Sequence, residues 1–396
     1  MNLQADQYVD QMFREALNRR ASDVHFEPHG NGCHVLLRID GRLREHDVVP
    51  LEQLQRITAR LKVLAGLPAY ERDVPMDGHL AVEMETPPVQ ARVSIMPTIH
   101  GEKSVVRFFH NEECSLDLEG LRLGPEVTEE LLSAVRQRQG VLLFTGPSGS
   151  GKTTTIYALL ERIYQETHGE TNIVTLEDPV ERDLGFAAQT PLSKCKGQTY
   201  SQALSHILRQ DPEVIVIGEI RDPETAQIAI RAGLTGHLVI STLHSRDASE
   251  VFLRLLEMGV EGYLVASAVV GVVAQRLLRS LCDHCKREVE IPKGTRSRLH
   301  IADSDLVFEA VGCPECASIG YRNRVPIAES LSMSDDLREA ILSRRDLAGV
   351  RRAASGSLSI TLPESAGRVL GMGVTSPEEV LRVLPGLELG AEHAMA

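Results

Sequence analysis

Two different spacings of apolar residues divide the chain. Up to residue 112 the apolar positions come in short alternating runs. A first stretch, Tyr8–Asn18, has a helical period that places Val9, Phe13, Ala16 and Leu17 on one face. Alternation then predicts strands over His34–Ile39, Arg42–Val49, His79–Glu83, Gln90–Ile95 and Ser104–Phe109, separated by turn pairs such as Asp40-Gly41 and Asp77-Gly78. One helix-like stretch, Leu51–Ala65, interrupts them. Residues 1–112 are therefore expected to form a small α+β domain around an antiparallel sheet. The charged segment 113–124, with Gly120 and Gly124, reads as a linker.

Beyond it the pattern changes. Four largely apolar runs, Val141–Phe144, Asn172–Leu176, Val214–Ile217 and His237–Leu243, alternate with helical stretches. That predicts an α/β core over 125–281 with a parallel sheet covered on both faces, whose ligands bind at the carboxyl ends of its strands. The longest apolar run, Tyr263–Ala274, is too short to span a bilayer and predicts a buried helix. A lobe over 282–330 with two cysteine pairs follows, then a helical region over 331–396 that includes Asp335–Arg352 and Ser376–Val383.

Chemistry enters at the end of the first core strand. Gly146-Pro147-Ser148-Gly149-Ser150-Gly151-Lys152-Thr153, with Thr154 next, is a complete phosphate-binding loop between a strand and a helix. Its glycines let the backbone N–H groups turn inward at phosphate oxygens, and the helix N-terminus adds partial positive charge. Lys152 is expected to reach the β and γ phosphates and Thr153 to ligate Mg²⁺. Val214–Ile217 runs through Gly218 into Glu219, an acid at a strand's carboxyl end where it would activate the attacking water. A second acidic cluster, Glu177-Asp178-Pro179-Val180-Glu181, also follows an apolar strand and offers carboxylates for metal or water. His237 and His244 mark the two ends of the fourth strand. His244, at the carboxyl end, is placed to meet a γ-phosphate.

Composition narrows the setting. Asp plus Glu total 55 against 42 for Lys plus Arg, a net charge of −13 that argues against nucleic acid as substrate. Met1–Asp10 has no basic stretch leading into an apolar core, so a cytoplasmic chain is expected. Its 7 cysteines are then not expected to pair as disulfides. Cys282-x-x-Cys285 and Cys313-x-x-Cys316, with 27 residues between them, fit a closed tetrahedral Zn²⁺ site of structural type. Cys33, Cys114 and Cys195 lack such partners and read as incidental.

Taken together these segments resemble the type II secretion and type IV pilus assembly ATPases, the GspE/PilB-like family, over nearly the whole chain. The resemblance rests on the phosphate loop and on Asn172–Glu181 as an acidic box. It also rests on Leu208–Asp222 as the second acidic strand motif, Thr235–His244 as a histidine box, and the tail Gly371–Leu381. It implies a RecA-like P-loop core, a PAS-like N-terminal domain, and ATP with Mg²⁺ as substrate and cofactor. It further implies a homo-hexameric motor, peripheral at the inner membrane through its partners alone, that drives an inner-membrane platform protein. Arg92 and Arg107 match arginines that close over the triphosphate in this family, and Arg221 would relay nucleotide state. The paired cysteines match the assembly and secretion branch, since retraction motors generally lack them. The rival readings are a nucleic-acid translocase on the same engine and a nucleotide-binding scaffold without turnover.

Overall fold

A computed structural model describes residues 5–39, 41–83, 88–109, 117–195, 197–343 and 346–385. The chain forms two compact units, 1–113 and 114–396. Cys114 and the first part of the expected linker lie outside the described residues.

In the first unit, α1 (Ala5–Asn18) leads into β1 (Asp23–His29), β2 (Gly32–Ile39) and β3 (Arg42–Val49). After α2 (Leu51–Leu64) come β4 (Met76–Val82), β5 (Val89–Thr98) and β6 (Gly101–Phe109). They make one six-stranded antiparallel sheet in the order β3-β2-β1-β6-β5-β4. Its core face alternates cleanly: Met76, Gly78, Leu80 and Val82 of β4 are buried while Asp77, His79 and Ala81 face out. The helical stripe of α1 covers that face, with Phe13 edge-on to Phe108 at 5.5 Å. Each such large apolar side chain, once buried, contributes about 1.5–3 kcal/mol. Strand β1 escapes sequence reading because its run, Asp-Val-His-Phe-Glu-Pro-His, mixes charge with apolar residues and contains Pro28. It is nonetheless central, and its buried Asp23 is satisfied by Arg107 Nε at 2.8 Å and Ser22 Oγ at 2.8 Å.

The second unit opens with α3 (Pro125–Arg136), β7 (Gly140–Thr145), α4 (Lys152–Glu166), β8 (Ile173–Glu177), β9 (Ala188–Pro191) and α5 (Tyr200–Ile207). It continues with β10 (Val214–Ile217), α6 (Pro223–Leu234), β11 (Leu238–Leu243), α7 (Ala248–Glu257), α8 (Gly262–Ala268) and β12 (Val269–Leu281). The cysteine-bearing segment holds β13 (Arg287–Glu288), α9 (Lys293–Arg298) and β14 (Phe308–Glu309). Then β15 (Tyr321–Ser332), α10 (Asp335–Leu342), α11 (Leu347–Ser355), β16 (Leu358–Ile360), α12 (Leu362–Gly371) and α13 (Pro377–Val383) complete it.

The large sheet has the order β16-β15-β12-β7-β11-β10-β8-β9. From β12 to β9 every pairing is parallel, as the alternation of strands and helices predicts. All residues of β7, β8, β10 and β11 are buried. Successive residues feed opposite cores: Val141 and Leu143 pack under α5–α8, Leu142 and Phe144 under α3 and α4. Leu118 and Leu123, in the segment read as linker, join the second of these cores.

Two expectations are corrected. Tyr263–Ala274 is not one helix: the helix stops at Ala268 and the chain continues as β12, parallel to β7. A run apolar on all sides has no period to read, and the β-branched Val269, Val270, Val272 and Val273 favour the strand. The sheet is also mixed, because β15, in the segment read as the cysteine lobe, and β16, in the one read as helical, pair antiparallel beyond β12.

A buried ion pair fastens α13 to β12. Glu379 is 0% exposed and Arg279 3%, with Arg279 donating from Nε at 2.9 Å, from Nη2 at 2.5 Å and from its backbone N–H at 3.0 Å. Arg382 adds two further bonds to the same carboxylate, and the Tyr321 ring lies 4.0 Å from the Arg279 guanidinium. Burial pushes the Glu379 carboxyl up, but the hydrogen bonds from Arg382 and Arg279 outweigh it and hold it below the usual range. Its contribution to stability is therefore present above the unfolded value of about 4.3 and is lost as pH falls through the folded one. Glu379→Ala leaves Arg279 buried without its anion, and is expected to lower stability by about 3–5 kcal/mol in urea unfolding followed by circular dichroism.

Candidate active site

The loop between β7 and α4 is built to leave N–H groups open. Gly149 and Gly151 have φ of +73° and +86°, which side chains with a Cβ rarely adopt. A Cβ on Gly146 would sit 2.4 Å from the Gln275 carbonyl oxygen, so β12 alongside admits only glycine there. Helix α4 has no side-chain cap, whereas α5, α6 and α7 are capped by Thr199, Asp222 and Asp247. Its first-turn N–H groups are thus available to an anion. Ser150 Oγ, inside the loop, is buried with no hydrogen-bond partner. This orphaned hydroxyl and the uncapped helix fit a phosphate group. Lys152 lies over the loop and donates to the carbonyls of Gly146 and Pro147, both at 2.9 Å. Burial, then the nearby charge of Arg276, hold its pKa below the usual lysine range, while Glu181 and Glu219 pull it back up.

Glu219 follows β10, two strands from the loop. Thr242 of β11 fixes the backbone on either side of it: its hydroxyl donates to the Gly218 carbonyl at 2.8 Å, and its own carbonyl accepts the Ile220 N–H at 2.9 Å. The Glu219 side chain is 17% exposed, hydrogen-bonded by Arg221 and 3.5 Å from His244 Nε2, whose ring is 63% exposed. Asp178 and Glu219 together act on the Tyr200 phenol, which burial first and these charges next hold well above its ordinary value. Lys152, Asp178, Glu181, Glu219, Arg221 and His244 therefore gather along the carboxyl ends of β7, β8, β10 and β11, as the position of the loop predicts.

Other expected site residues stand apart. Glu177 is buried, and both its oxygens are engaged: by the Tyr157 hydroxyl, by Thr175 Oγ1 at 2.6 Å and by Gln189 Nε2 at 3.2 Å. It anchors α4 to β8 instead of facing solvent with Asp178. His237 lies at the amino end of β11, away from the loop, and its Nδ1 meets the Ala232 carbonyl at the end of α6 at 3.1 Å. In the first unit, Arg92 and Arg107 are direct cross-strand partners on β5 and β6, each paired to an acid, Asp77 at 3.2 Å and Asp23 at 2.8 Å. Sequence reading missed Thr242, Tyr157, Gln275 and Arg276. The last two left a trace, a polar pair interrupting the apolar run of β12.

The sulfurs of Cys282, Cys285, Cys313 and Cys316 all lie within 4.8 Å of one another, with separations of 3.9, 3.8 and 3.7 Å for three of the pairs. A tetrahedral ion with metal–sulfur bonds of about 2.3 Å needs edges of about 3.8 Å. Backbone N–H groups of Gly312, Cys313 and Gly320 donate to the sulfurs at 3.1–3.3 Å, as suits thiolates. Burial raises the Cys316 thiol, yet the N–H groups of Cys313 and Gly320 outweigh it and bring it down to about 6. The cluster is competent to hold a metal ion. Cys33 is buried on β2 and Cys195 half-buried, neither beside it.

A mixed sheet with a parallel centre, a phosphate loop at the end of β7 and an acid two strands away is the arrangement of a P-loop nucleotidase. Comparison narrows the class: residues 4–382 match the family described as "Type II/IV secretion system protein", and the chain belongs to that family of secretion ATPases. It is 41% identical over 376 residues to type II secretion system protein HxcR of Pseudomonas aeruginosa, covering 95% of this chain and 76% of that one. To type IV pilus assembly ATPase PilB of Thermus thermophilus it is 38% identical over 381 residues, spanning 95% of this chain and 42% of the relative. Among solved structures, the ATPase DotB of Legionella pneumophila superposes with a TM-score of 0.71 at 18% identity, over 96% of this chain and 95% of that one, a likeness of fold. No helix among the described residues is long and apolar enough to cross a membrane.

The Tyr157–Glu177 bond gives a test of the anchor. Tyr157→Phe removes one donor from a buried carboxylate and is expected to cost about 1–3 kcal/mol of stability, read by thermal denaturation.

Proposed function

We propose that this chain is the cytoplasmic ATP-hydrolysing motor of a type II secretion or type IV pilus assembly system. The observation that carries this reading is the convergence of Lys152, Glu219 and His244 at the carboxyl ends of β7, β10 and β11 in a chain of this family. Residues Gly146–Thr154 cradle the phosphates, with Lys152 neutralising their charge and Thr153 placed at the helix start to hold Mg²⁺. Mg²⁺, when bound, would screen the phosphate charge. Glu219 orients the attacking water and accepts its proton, and His244 and Arg221 hold the Glu219 carboxylate. Asp178 and Glu181 are the supporting acids; Glu177, satisfied and buried, keeps α4 and β8 in register.

The working unit is a homo-hexamer attached to the inner membrane through partners and acting on a platform protein. Arg92 and Arg107 supply positive charge to the triphosphate in that ring. The tetracysteine cluster holds Zn²⁺ in a closed structural site.

Lys152→Ala is expected to abolish nucleotide binding, and Glu219→Gln to bind ATP while losing turnover by at least about a hundredfold, the range of general-base loss. Equal turnover in Glu219→Gln and wild type would transfer the base to Asp178 or Glu181. ATP hydrolysis stimulated by the cytoplasmic part of a platform protein, and not by DNA, supports the motor reading; stimulation by DNA alone would put a nucleic acid in its place. Metal analysis is expected to find one zinc per chain, lost in Cys282→Ser together with the order of the cysteine lobe.

A further inference from the structure

Strand β12 outruns its neighbour. Ala274 pairs with Thr145, the last residue of β7, so Gln275 and Arg276 run on beside the phosphate loop. Gln275 is buried and serves α4, accepting from Thr155 Oγ1 at 3.0 Å. Arg276 instead covers the start of the loop, its Nη1 3.0 Å from where a Cβ on Gly146 would lie.

The guanidinium is half-buried and, among the described residues, donates to neutral carbonyls. Nη1 donates to the Gln275 carbonyl at 2.9 Å and Nη2 to the Arg246 carbonyl at 2.5 Å. Two acids act on it from a distance, Glu329 and Asp247, but both are committed elsewhere. Glu329 accepts the Ala248 N–H at 3.0 Å; Asp247 takes the N–H of Glu250, the Ser249 hydroxyl and Arg351. Arg276 has thus lost hydration without gaining an anion, and it stands close enough to Lys152 to disfavour that residue's charge. Two incompletely neutralised cations held at one loop are an unfavourable arrangement that a multivalent anion between them would relieve.

The second bond shows what such an anion would change. Arg246 lies in the segment 244–247 that carries His244. That segment is tied to β7 by Ser245, whose N–H donates to Thr145 Oγ1 at 2.9 Å, and to β12 by Arg276. We propose that Arg276 is a phosphate-sensing residue: it pairs with the phosphate chain of a bound nucleotide, gives up the Arg246 carbonyl and so frees the segment bearing His244. This rests on the nucleotide reading given above. A charged acceptor displaces a neutral carbonyl because a charge-assisted hydrogen bond is roughly twice as strong.

The test uses the full chain with Mg²⁺ and a non-hydrolysable ATP analogue, in wild type, Arg276→Gln and Arg276→Lys, with Lys152→Ala as control. Binding is measured by titration, and hydrogen exchange is followed by mass spectrometry across 244–250. Arg276→Gln is expected to bind the analogue roughly ten- to a hundredfold more weakly, the worth of one or two charge-assisted hydrogen bonds, and Arg276→Lys to fall between it and wild type. In wild type the analogue is expected to speed exchange in 244–250; in Arg276→Gln exchange is already fast and the analogue leaves it unchanged. Unaltered affinity in both Arg276 variants, or an analogue response retained in Arg276→Gln, overturns the inference while leaving the phosphate loop intact. Should Arg276→Gln not fold, the affinity of Arg276→Lys and the wild-type exchange response decide the matter. Absence of analogue binding by wild type, equal to Lys152→Ala, overturns the nucleotide reading and this inference together.

Discussion

The arrangement depends on one constraint: the loop after β7 must hold backbone N–H groups open to an anion while its two ends, at Gly146 and Gly151, pack closely against β12. Left-handed turns at Gly149 and Gly151 and the bare helix start at Lys152 meet the first requirement. Strand β12 imposes the second, since its Gln275 carbonyl and side chain approach Gly146 and Gly151 so closely that a Cβ at either would clash. Gly146 and Gly151 are thus required twice, by backbone conformation and by the neighbouring strand, and Gly149 by conformation alone.

Around that loop, polar groups divide into those that hold and those that act. Glu177, Thr242, Thr145 and Gln275 are buried with their hydrogen bonds made, and they join β8 to α4, β11 to β10, β7 to the His244 segment and β12 to α4. Asp178, Glu181, Arg221 and His244 are exposed at the strand ends. Buried, satisfied groups keep the geometry rigid, and exposed ones remain available to substrate and solvent.

Strand β12 connects three parts of the second unit along a single stretch of backbone. Its middle lines the phosphate loop, Arg279 anchors α13 through Glu379, and Leu281 leads straight into Cys282. A buried ion pair is weak evidence for net stability, but it fixes one partner helix and one register, because any other leaves a charge in the core.

Much of this was legible in the sequence, and the limits have physical causes. Segments whose chemistry is local could be read directly: the phosphate loop, the acids after β8 and β10, the two cysteine pairs and the alternating strands of the first unit. In these, the residues that form the feature are adjacent or share a period, so backbone geometry alone relates them. Strand β12 was not read as a strand, because its apolar residues follow directly on those of α8 and no turn pair between Ala268 and Val269 marks where the helix ends. Nor was the separation of Glu177 from Asp178, adjacent in sequence yet one buried under Tyr157 and the other exposed. The tertiary structure alone placed Arg276 beside Gly146, since strand order in a sheet is set by packing between distant segments. Sequence by itself determined which chemistry the chain carries; only the fold decided which of those groups meet.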